Sequence, residues 1–385
     1  MKILVTSLPD LSKLNPQRPH HLLNHLSKKH EINLFCGNAW WLEDSSDQYL
    51  KDTLKDIKID YFSQKKRNSI IQEILAKKNL DKLNLDLNSF DIHINFNSFI
   101  AGYNVAKKIE APTVFDICDD LIDWISISPQ IPYLIKPLGK IIGSSMLKRN
   151  INISSQITSS LDILNDLYEI PKNKRNIILN GVDTVHFKNR GGEYIREKLN
   201  IPEDTFLLVF VGYLGNWIEL EPTFKAIKHL KSKYKIKLLV VGDGDRLNRF
   251  KYLSKEFGIE SSVMFTGNIN YSDVPEYISA ADVCLLPFDN SNVSQGALPL
   301  KLFEYMSCEK PVISSPLINV KKIVNDHVIF AGNDEIEKNI IELYNDEELR
   351  RYLGKKGREF VIKGYSWDFI SDKFEKTLIK TIGEN

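Results

Sequence analysis

Cysteine is scarce in this 385-residue sequence, and its four copies, Cys36, Cys118, Cys284 and Cys308, are scattered. No CxxC pair occurs, which excludes a zinc ribbon and leaves no disulfide scaffold; reduced thiols in a cytoplasmic protein are expected. A charge excess is also missing. With 51 Lys and Arg against 50 Asp and Glu, the chain has no basic surplus for a dedicated nucleic-acid binder. No apolar run reaches the length of a membrane span. The opening "MKILVTSLPD" is apolar for too few residues to be a secretory signal and reads as a first buried strand. GxSxG, P-loop and Cys–His signatures are absent. "VVGDGDRLNRF" has Gly242 and Gly244 after a strand, but Leu247 stands where the dinucleotide fingerprint has its third glycine, so an NAD site is not expected.

What is present is length and a 43% hydrophobic fraction, enough for two cores of ordinary domain size. Strand-like and helix-like segments alternate from the start. "KILVTS", "EINLFC", "DIHINF" and "PTVFDICDD" read as strands. "RPHHLLNHLSKKH", "NSIIQEILAKKNLDKLNL" and "AGYNVAKKI" read as helices. The pattern restarts at "TFLLVFVGYLG" and runs through "IKLLVVGDGD", "SVMFTGNI", "DVCLLPF" and "PVISSP" with helices between. Such alternation predicts parallel sheets covered by helices on both faces, hence an α/β chain of two doubly wound, Rossmann-like domains. "NGVDTVHFKNRGG" gathers turn formers and marks the linker. The boundaries follow as 1–185 and 186–365. The closing "YSWDFISDKFEKTLIKTI" places Trp367, Ile370, Phe374 and Leu378 on one helical stripe.

Four constellations carry chemistry. In "ALPLKLFEYMSCEKPV" a helix starting near Pro299 puts Lys301 and Glu304 on one side and Leu302, Phe303 and Met306 on the other. A lysine in a first turn opposes the helix dipole unless an anion is near. Glu304 in a solvated pair supplies one; a bound phosphate at the helix N-terminus supplies a better one, and both readings stand. "VGYLGNW" gives a glycine turn (Gly212, Gly215) at a strand's carboxyl end, where doubly wound sheets bind ligands. "FDICDDLIDW" crowds Asp116, Asp119, Asp120 and Asp123 after a strand, as a base, a metal holder or a capped solvated loop. His21 and His25 have the i, i+4 spacing of a metal-binding helix but lack a visible third ligand, so no metal site is expected. Arg18, at the mouth of the first strand–helix turn, is placed either to neutralise an anion or to hold its own loop.

The stretch "LPLKLFEYMSCEKPVIS", with "ILNGVDTVHF", "ADVCLLPF" and "YSWDFI" in the same chain, resembles the GT-B glycosyltransferases, specifically retaining family 4 (glycosyl transferases group 1) of the surface-polysaccharide type. The resemblance covers nearly the whole chain and is strongest from Ile178 to Ser315. It implies two domains facing a cleft: 1–185 binding the acceptor, completed by a C-terminal helix at 366–385, and 186–365 binding the nucleotide sugar. It implies sugar transfer from a nucleoside-diphosphate sugar, UDP favoured, to a hydroxyl of a glycan or lipid-linked acceptor, with no cofactor and no metal.

Glu304 matches the family glutamate that holds the ribose, and Lys301 would meet the diphosphate. Gly215, Trp217, Arg18, Gly296 and Leu298 are the further donor-binding candidates, and Asp119 with Lys301 the catalytic ones. Two departures stand out. Gly296 occupies the position of the first of the family's two glutamates. "GYLGNWIELE" lacks the usual Arg and Lys after the first strand of the second domain. The expected place is the cytoplasm, with peripheral contact at the inner membrane face through "IPYLIKPLGKIIGSSMLKR", which mixes apolar and basic residues. A nucleotide-sugar epimerase and a non-catalytic sugar-nucleotide binder are the competing readings.

Overall fold

A strand that is apolar at every position has to be covered on both faces, and "FLLVFV" (206–211) is buried along its full length. This logic organises two parallel sheets in the computed structural model, which describes residues 1–39, 47–63, 68–82, 86–127 and 131–384. The chain divides into two units, Met1–Asn180 with Trp367–Asn385 and Gly181–Ser366. The break between Asn180 and Gly181 lies five residues before the boundary read from sequence.

The first unit holds β1 (Lys2–Ser7), β2 (Glu31–Cys36), β3 (Ile57–Tyr61), β4 (Ile92–Phe96), β5 (Thr113–Ile117), β6 (Gln156–Ser159) and β7 (Arg175–Ile177). Their order is β3-β2-β1-β4-β5-β6-β7, parallel throughout. The helix Trp367–Gly383 returns to this unit and buries Trp367, Ile370, Phe374 and Leu378, the stripe expected from its periodicity. Trp367 stacks on His21 at 4.7 Å, and Phe374 packs against Phe96.

The second unit holds β8 (Phe206–Val211), β9 (Ile236–Val241), β10 (Val263–Gly267), β11 (Val283–Leu286), β12 (Val312–Ser314) and β13 (Ile329–Phe330), in the order β10-β9-β8-β11-β12-β13. The chain winds outward from β8 to β10 and then returns to place β11 on β8's other side. The carboxyl ends of β8 and β11 therefore flank the point where the winding reverses, the crevice position at which open α/β sheets take ligands.

Four strands were not visible in the sequence. β3, β7 and β13 are outermost in their sheets and only partly covered, so no apolar run announces them. β6, "QITS", is interior but short and polar; Thr158 and Ser159 are buried by bonding to Asp116 and Asn165. The helix expected over "NSIIQEILAKKNLDKLNL" spans Ser69–Lys82, and residues 83–85 lie outside the described set.

Beneath this sheet Arg18 (3% exposed) and Asp116 (1%) form a buried ion pair. Nε donates to Oδ2 at 2.9 Å, Nη2 donates to Oδ1 at 2.8 Å, and Nη1 donates to the carbonyl of Leu179 at 2.9 Å. Thr158 adds a hydrogen bond to Asp116. Removing one member strands the other's charge, a loss of about 3–5 kcal/mol. Arg18→Ala is therefore expected to lower the thermal unfolding midpoint by roughly 10 °C by circular dichroism, and Arg18→Ala with Asp116→Ala is expected to lower it less than Arg18→Ala alone.

Candidate functional site

Pro299, in extended backbone, starts the helix Leu300–Ser307, and no side chain caps its first turn. One face buries Leu302, Phe303 and Met306 in the core. Tyr305 fixes the helix to the sheet: its hydroxyl accepts from the Val211 amide at 2.8 Å and donates to the Val211 carbonyl at 3.2 Å. That clamp lies at the carboxyl end of β8. It sets the position of the two residues on the helix's other side.

Lys301 points under the turn that follows β8. Its ammonium lies 4.7 Å from the ring centre of Phe210, on β8, and 5.6 Å from that of Phe288, just after β11. These are the two chain ends flanking the winding reversal. The ammonium makes no hydrogen bond or ion pair among the described residues, and burial lowers its pKa to about 8, partly offset by the field of Glu304. The solvated Lys301–Glu304 salt bridge is thus not what the structure has.

Glu304 is buried instead, 8% exposed. Its Oε1 accepts a 3.1 Å hydrogen bond from the Tyr271 hydroxyl. Desolvation raises its pKa to about 7 against the opposing effects of Tyr271 and Lys301. Tyr271 is braced by stacking on His186 and by an edge contact with Phe187.

Glycine makes this approach feasible. A Cβ on Gly212 would collide with the Lys301 ammonium, and one on Gly242 with the Gly212 carbonyl; their φ values of 140° and 133° disfavour L side chains in any case. The loops after β8 and β9 are thereby laid together, with Gly212 N–H donating to Val241 and Leu214 N–H to Asp243. Gly242 and Gly244, set aside as a dinucleotide fingerprint, serve this packing. The β8 loop also ties to the chain after β11, through Glu219 N–H to Pro287 and Asp289 N–H to Trp217. Trp217 lays its indole over Gly215, where any side chain would clash, and packs at 6.0 Å from Tyr213.

Gly296 ends the helix Asn292–Gln295 at φ −85°, ψ −1°, a conformation open to any residue. Leu298, a donor-binding candidate, turns its side chain into the core at 3% exposure. Serines in this segment are organised by Asp289, which accepts from the hydroxyls of Ser291 and Ser294.

In the first unit the four aspartates after β5 separate by task. Asp116 neutralises Arg18, so that guanidinium is already committed to an anion within the fold. Asp120 caps the helix Leu121–Ile127 through the amides of Ile122 and Asp123 and accepts from the Tyr168 hydroxyl. Asp123 pairs with Lys140 at 3.4 Å. Asp119 is left with a thiol contact from Cys118 and no ion pair among the described residues; desolvation raises its pKa. His21 is engaged in its stack on Trp367 and does not join His25 as a metal ligand.

Tyr271, Phe210 and Phe288 were not singled out from sequence. Tyr271 lies 33 residues from its partner Glu304, and the two phenylalanines read only as buried strand residues.

The family described as "Glycosyl transferases group 1" matches residues 193–360, all within the second unit. A 208-residue stretch, 52% of this chain and 51% of the relative, is 27% identical to an uncharacterized glycosyltransferase, MJ1069, of Methanocaldococcus jannaschii. The chain spans about half the length of the first curated relatives it matches. Among solved structures, sucrose-phosphate synthase from Thermosynechococcus elongatus is similar over 100% of both chains, with TM-score 0.78 at 16% identity. Anabaena Alr3699/HepE, solved in complex with UDP and glucose, is similar over 98% of this chain and 99% of its own, with TM-score 0.74 at 15% identity. The likeness to group 1 glycosyl transferases thus lies in residues 193–360, and the fold is that of the GT-B chains.

An ammonium held without an anion costs the folded state. Lys301 has a folded pKa below its unfolded one, so this cost is complete below about pH 8 and fades as pH rises towards the ordinary lysine value. Lys301→Met is expected to stabilise the ligand-free chain by ~1–3 kcal/mol at pH 7 in urea unfolding. A gain that persists undiminished at pH 10 would show that the charge is not its source.

Proposed function

We propose that the chain transfers a sugar from a nucleoside-diphosphate sugar, UDP favoured, to a hydroxyl of a glycan or lipid-linked acceptor, with retention of configuration and without a metal cofactor. The observation that carries this reading is the Lys301 ammonium at the winding reversal, partly buried and without a hydrogen bond or ion pair among the described residues, with Glu304 one turn further on the same helix. A nucleoside diphosphate offers a matching pair of groups, an anion and, next to it, a ribose with two hydroxyls. The match to group 1 glycosyl transferases and the fold shared with a chain solved with UDP support the same donor class.

In the proposed step the bond between the sugar C1 and the diphosphate oxygen breaks with its electron pair going to the phosphate. The acceptor oxygen bonds C1, and its proton passes to the departing phosphate oxygen. Charge grows on the diphosphate as the bond lengthens, so a fixed cation stabilises the transition state more than the bound donor. Glu304 accepts from the ribose hydroxyls, and Asp119 is assigned to the sugar or acceptor in the first unit. Binding without turnover is the second reading. Its support is Gly296, where the resemblance would have a carboxylate contacting the sugar.

The test is nucleoside diphosphate release from a panel of UDP-, GDP-, ADP- and dTDP-sugars, with and without EDTA, and with lipid-linked and glycan acceptors. Release from one donor, insensitive to EDTA and reduced at least 100-fold in Lys301→Ala and Glu304→Ala, is expected. Nucleotide binding with no donor turned over would favour the binding protein. The pH profile of kcat/KM is expected to be a narrow bell. It falls on the acid side as Glu304 protonates near 7 and on the basic side as Lys301 loses its proton near 8. Lys301→Ala should remove the basic limb; an unchanged profile in that variant counts against the assignment.

The acceptor side of the proposal includes docking on an anionic bilayer. Tyr133, Leu134, Ile135, Leu138, Ile141 and Ile142 are all exposed, Leu134 at 89%. From Trp124 to Leu161 the sequence has no Asp or Glu, while Lys136, Lys140, Lys148 and Arg149 lie along it. No described helix is long and apolar enough to cross a membrane, so this surface suits lying in the headgroup layer with its lysines among lipid phosphates. Co-sedimentation with phosphatidylglycerol vesicles is expected, weakened at least tenfold by Leu134→Glu with Ile141→Glu and by pure phosphatidylcholine. Equal recovery in all three cases would refute it.

A further inference from the structure

The helix Arg18–Ser27 carries His25, whose third-ligand problem is solved by the C-terminal helix. His25 Nε2 lies 3.1 Å from Asp372 Oδ1 and 3.6 Å from Glu375 Oε2. The three ligand atoms His25, Asp372 and Glu375 offer all fall within 4.8 Å of one another. His25 is 9% exposed, yet neither of its ring nitrogens makes a hydrogen bond, although carboxylate oxygens face both. The neighbouring oxygens stand off the ring's hydrogen-bonding directions. The two distances from Nε2, 3.1 and 3.6 Å, bracket the separation of about 3.3 Å that bonds of 2.0–2.1 Å give between ligand atoms in a tetrahedron.

Two further contacts fit that arrangement. Asp368 Oδ1 lies 3.5 Å from His25 Nδ1 without bonding it; a small turn of this exposed carboxylate would let it take the remaining N–H, as carboxylates do for metal-bound imidazoles. His30 Nε2 lies 2.7 Å from Glu375 Oε1, which fixes the carboxylate and leaves Oε2 turned towards His25. The carboxylates of Asp368, Asp372 and Glu375 gather here around His25 and His30, and among the described residues Lys29 is the permanently charged cation paired with them, 2.8 Å from Glu375 and 3.8 Å from Asp372. A divalent ion suits so acidic a surround.

We propose that His25, Asp372 and Glu375 bind a divalent transition metal of the zinc class, with solvent in the fourth position, and that the ion clips the C-terminal helix to the helix Arg18–Ser27. One imidazole and two carboxylates suit Zn²⁺ and Co²⁺ rather than Mg²⁺ or Ca²⁺, which take oxygen sets. Lys29, half exposed, holds the same two carboxylates and swings out to solvent when the ion enters. This site is separate from the donor chemistry, which is proposed to run without metal.

The test uses the full-length, tag-free chain after chelator treatment, titrated with ZnCl₂ by calorimetry and with CoCl₂ by absorption. One equivalent of zinc is expected to bind, to raise the thermal midpoint by several degrees, and to leave MgCl₂ and CaCl₂ without effect. Asp372→Asn, at an exposed position, and His25→Gln should each weaken binding at least tenfold. Lys29→Gln should tighten it severalfold, because it removes the competing ammonium, whereas a purely structural ion cluster would only be weakened by that change. Cobalt should give weak visible bands without the strong near-ultraviolet band of a thiolate ligand. No saturable binding, binding indifferent to Asp372→Asn and His25→Gln, or a thiolate band would each overturn the proposal. Lys301→Ala should keep zinc binding intact, so loss of donor turnover and loss of metal are read independently.

Discussion

The second unit is arranged around a lysine ammonium that has aromatic rings for company and, among the described residues, no ion-pair partner. Holding Lys301 there requires a turn without side chains, supplied by Gly212, and a neighbouring loop close enough to brace that turn, supplied by Gly242 and Gly244. It requires a helix that cannot drift, and the Tyr305 hydroxyl ties it to both backbone groups of Val211. The rings of Phe210 and Phe288 attract the cation by about 1–2 kcal/mol, less than a carboxylate would offer. An ammonium without a carboxylate at bonding distance is what the proposed diphosphate site requires. Glu304 shows the same economy: it is buried with one tyrosine donor and retains acceptor capacity.

Much of the fold was legible because its signal is local. Buried parallel strands are runs such as "KILVTS" and "FLLVFV", and the final helix displayed its buried stripe at helical spacing. The strands that escaped notice lack that signal for identifiable reasons. "IKIDY" and "RNI" need only one covered face, and "QITS" is buried through hydrogen bonds rather than through apolar side chains. The site was half legible. Lys301 and Glu304 betrayed themselves by placing charge on a helix whose other residues are core. Tyr271, Phe210 and Phe288 did not, since a phenylalanine beneath a cation looks in sequence like any phenylalanine in a strand.

Charged clusters were the least legible of all, because adjacency in sequence says little about partners. The aspartates of "FDICDDLIDW" seemed one feature and proved to be four: an internal counter-ion, a helix cap, a surface pair and, in Asp119, a carboxylate with no ion pair among the described residues. Arg18, a candidate for meeting an incoming anion, is paired with Asp116 from 98 positions away. His21 and His25 seemed a pair by spacing. One became a stacking surface for Trp367; the other found its carboxylates in a helix more than 340 positions further along. Where the charge is buried, as for Arg18 and Asp116, the partner is whatever the topology brings to it.

Gly296 separates the two readings of the site more sharply than any residue that is present. Its backbone at φ −85° makes no demand for glycine, and a Cβ there would meet only backbone oxygens of its own short helix, 3.2 Å away at the nearest. A carboxylate could be accommodated at this position without rebuilding the loop, so its absence is not forced by the fold. The groups that would grip a nucleoside diphosphate are organised in detail, from the Tyr305 clamp to the Tyr271 brace. The groups that would grip the sugar are fewer, with the Asp289–Ser291–Ser294 network lying just ahead of Gly296. On the proposed reading the diphosphate and ribose are met by more ordered groups than the sugar is, so donor choice is expected to be broader in the hexose than in the diphosphate.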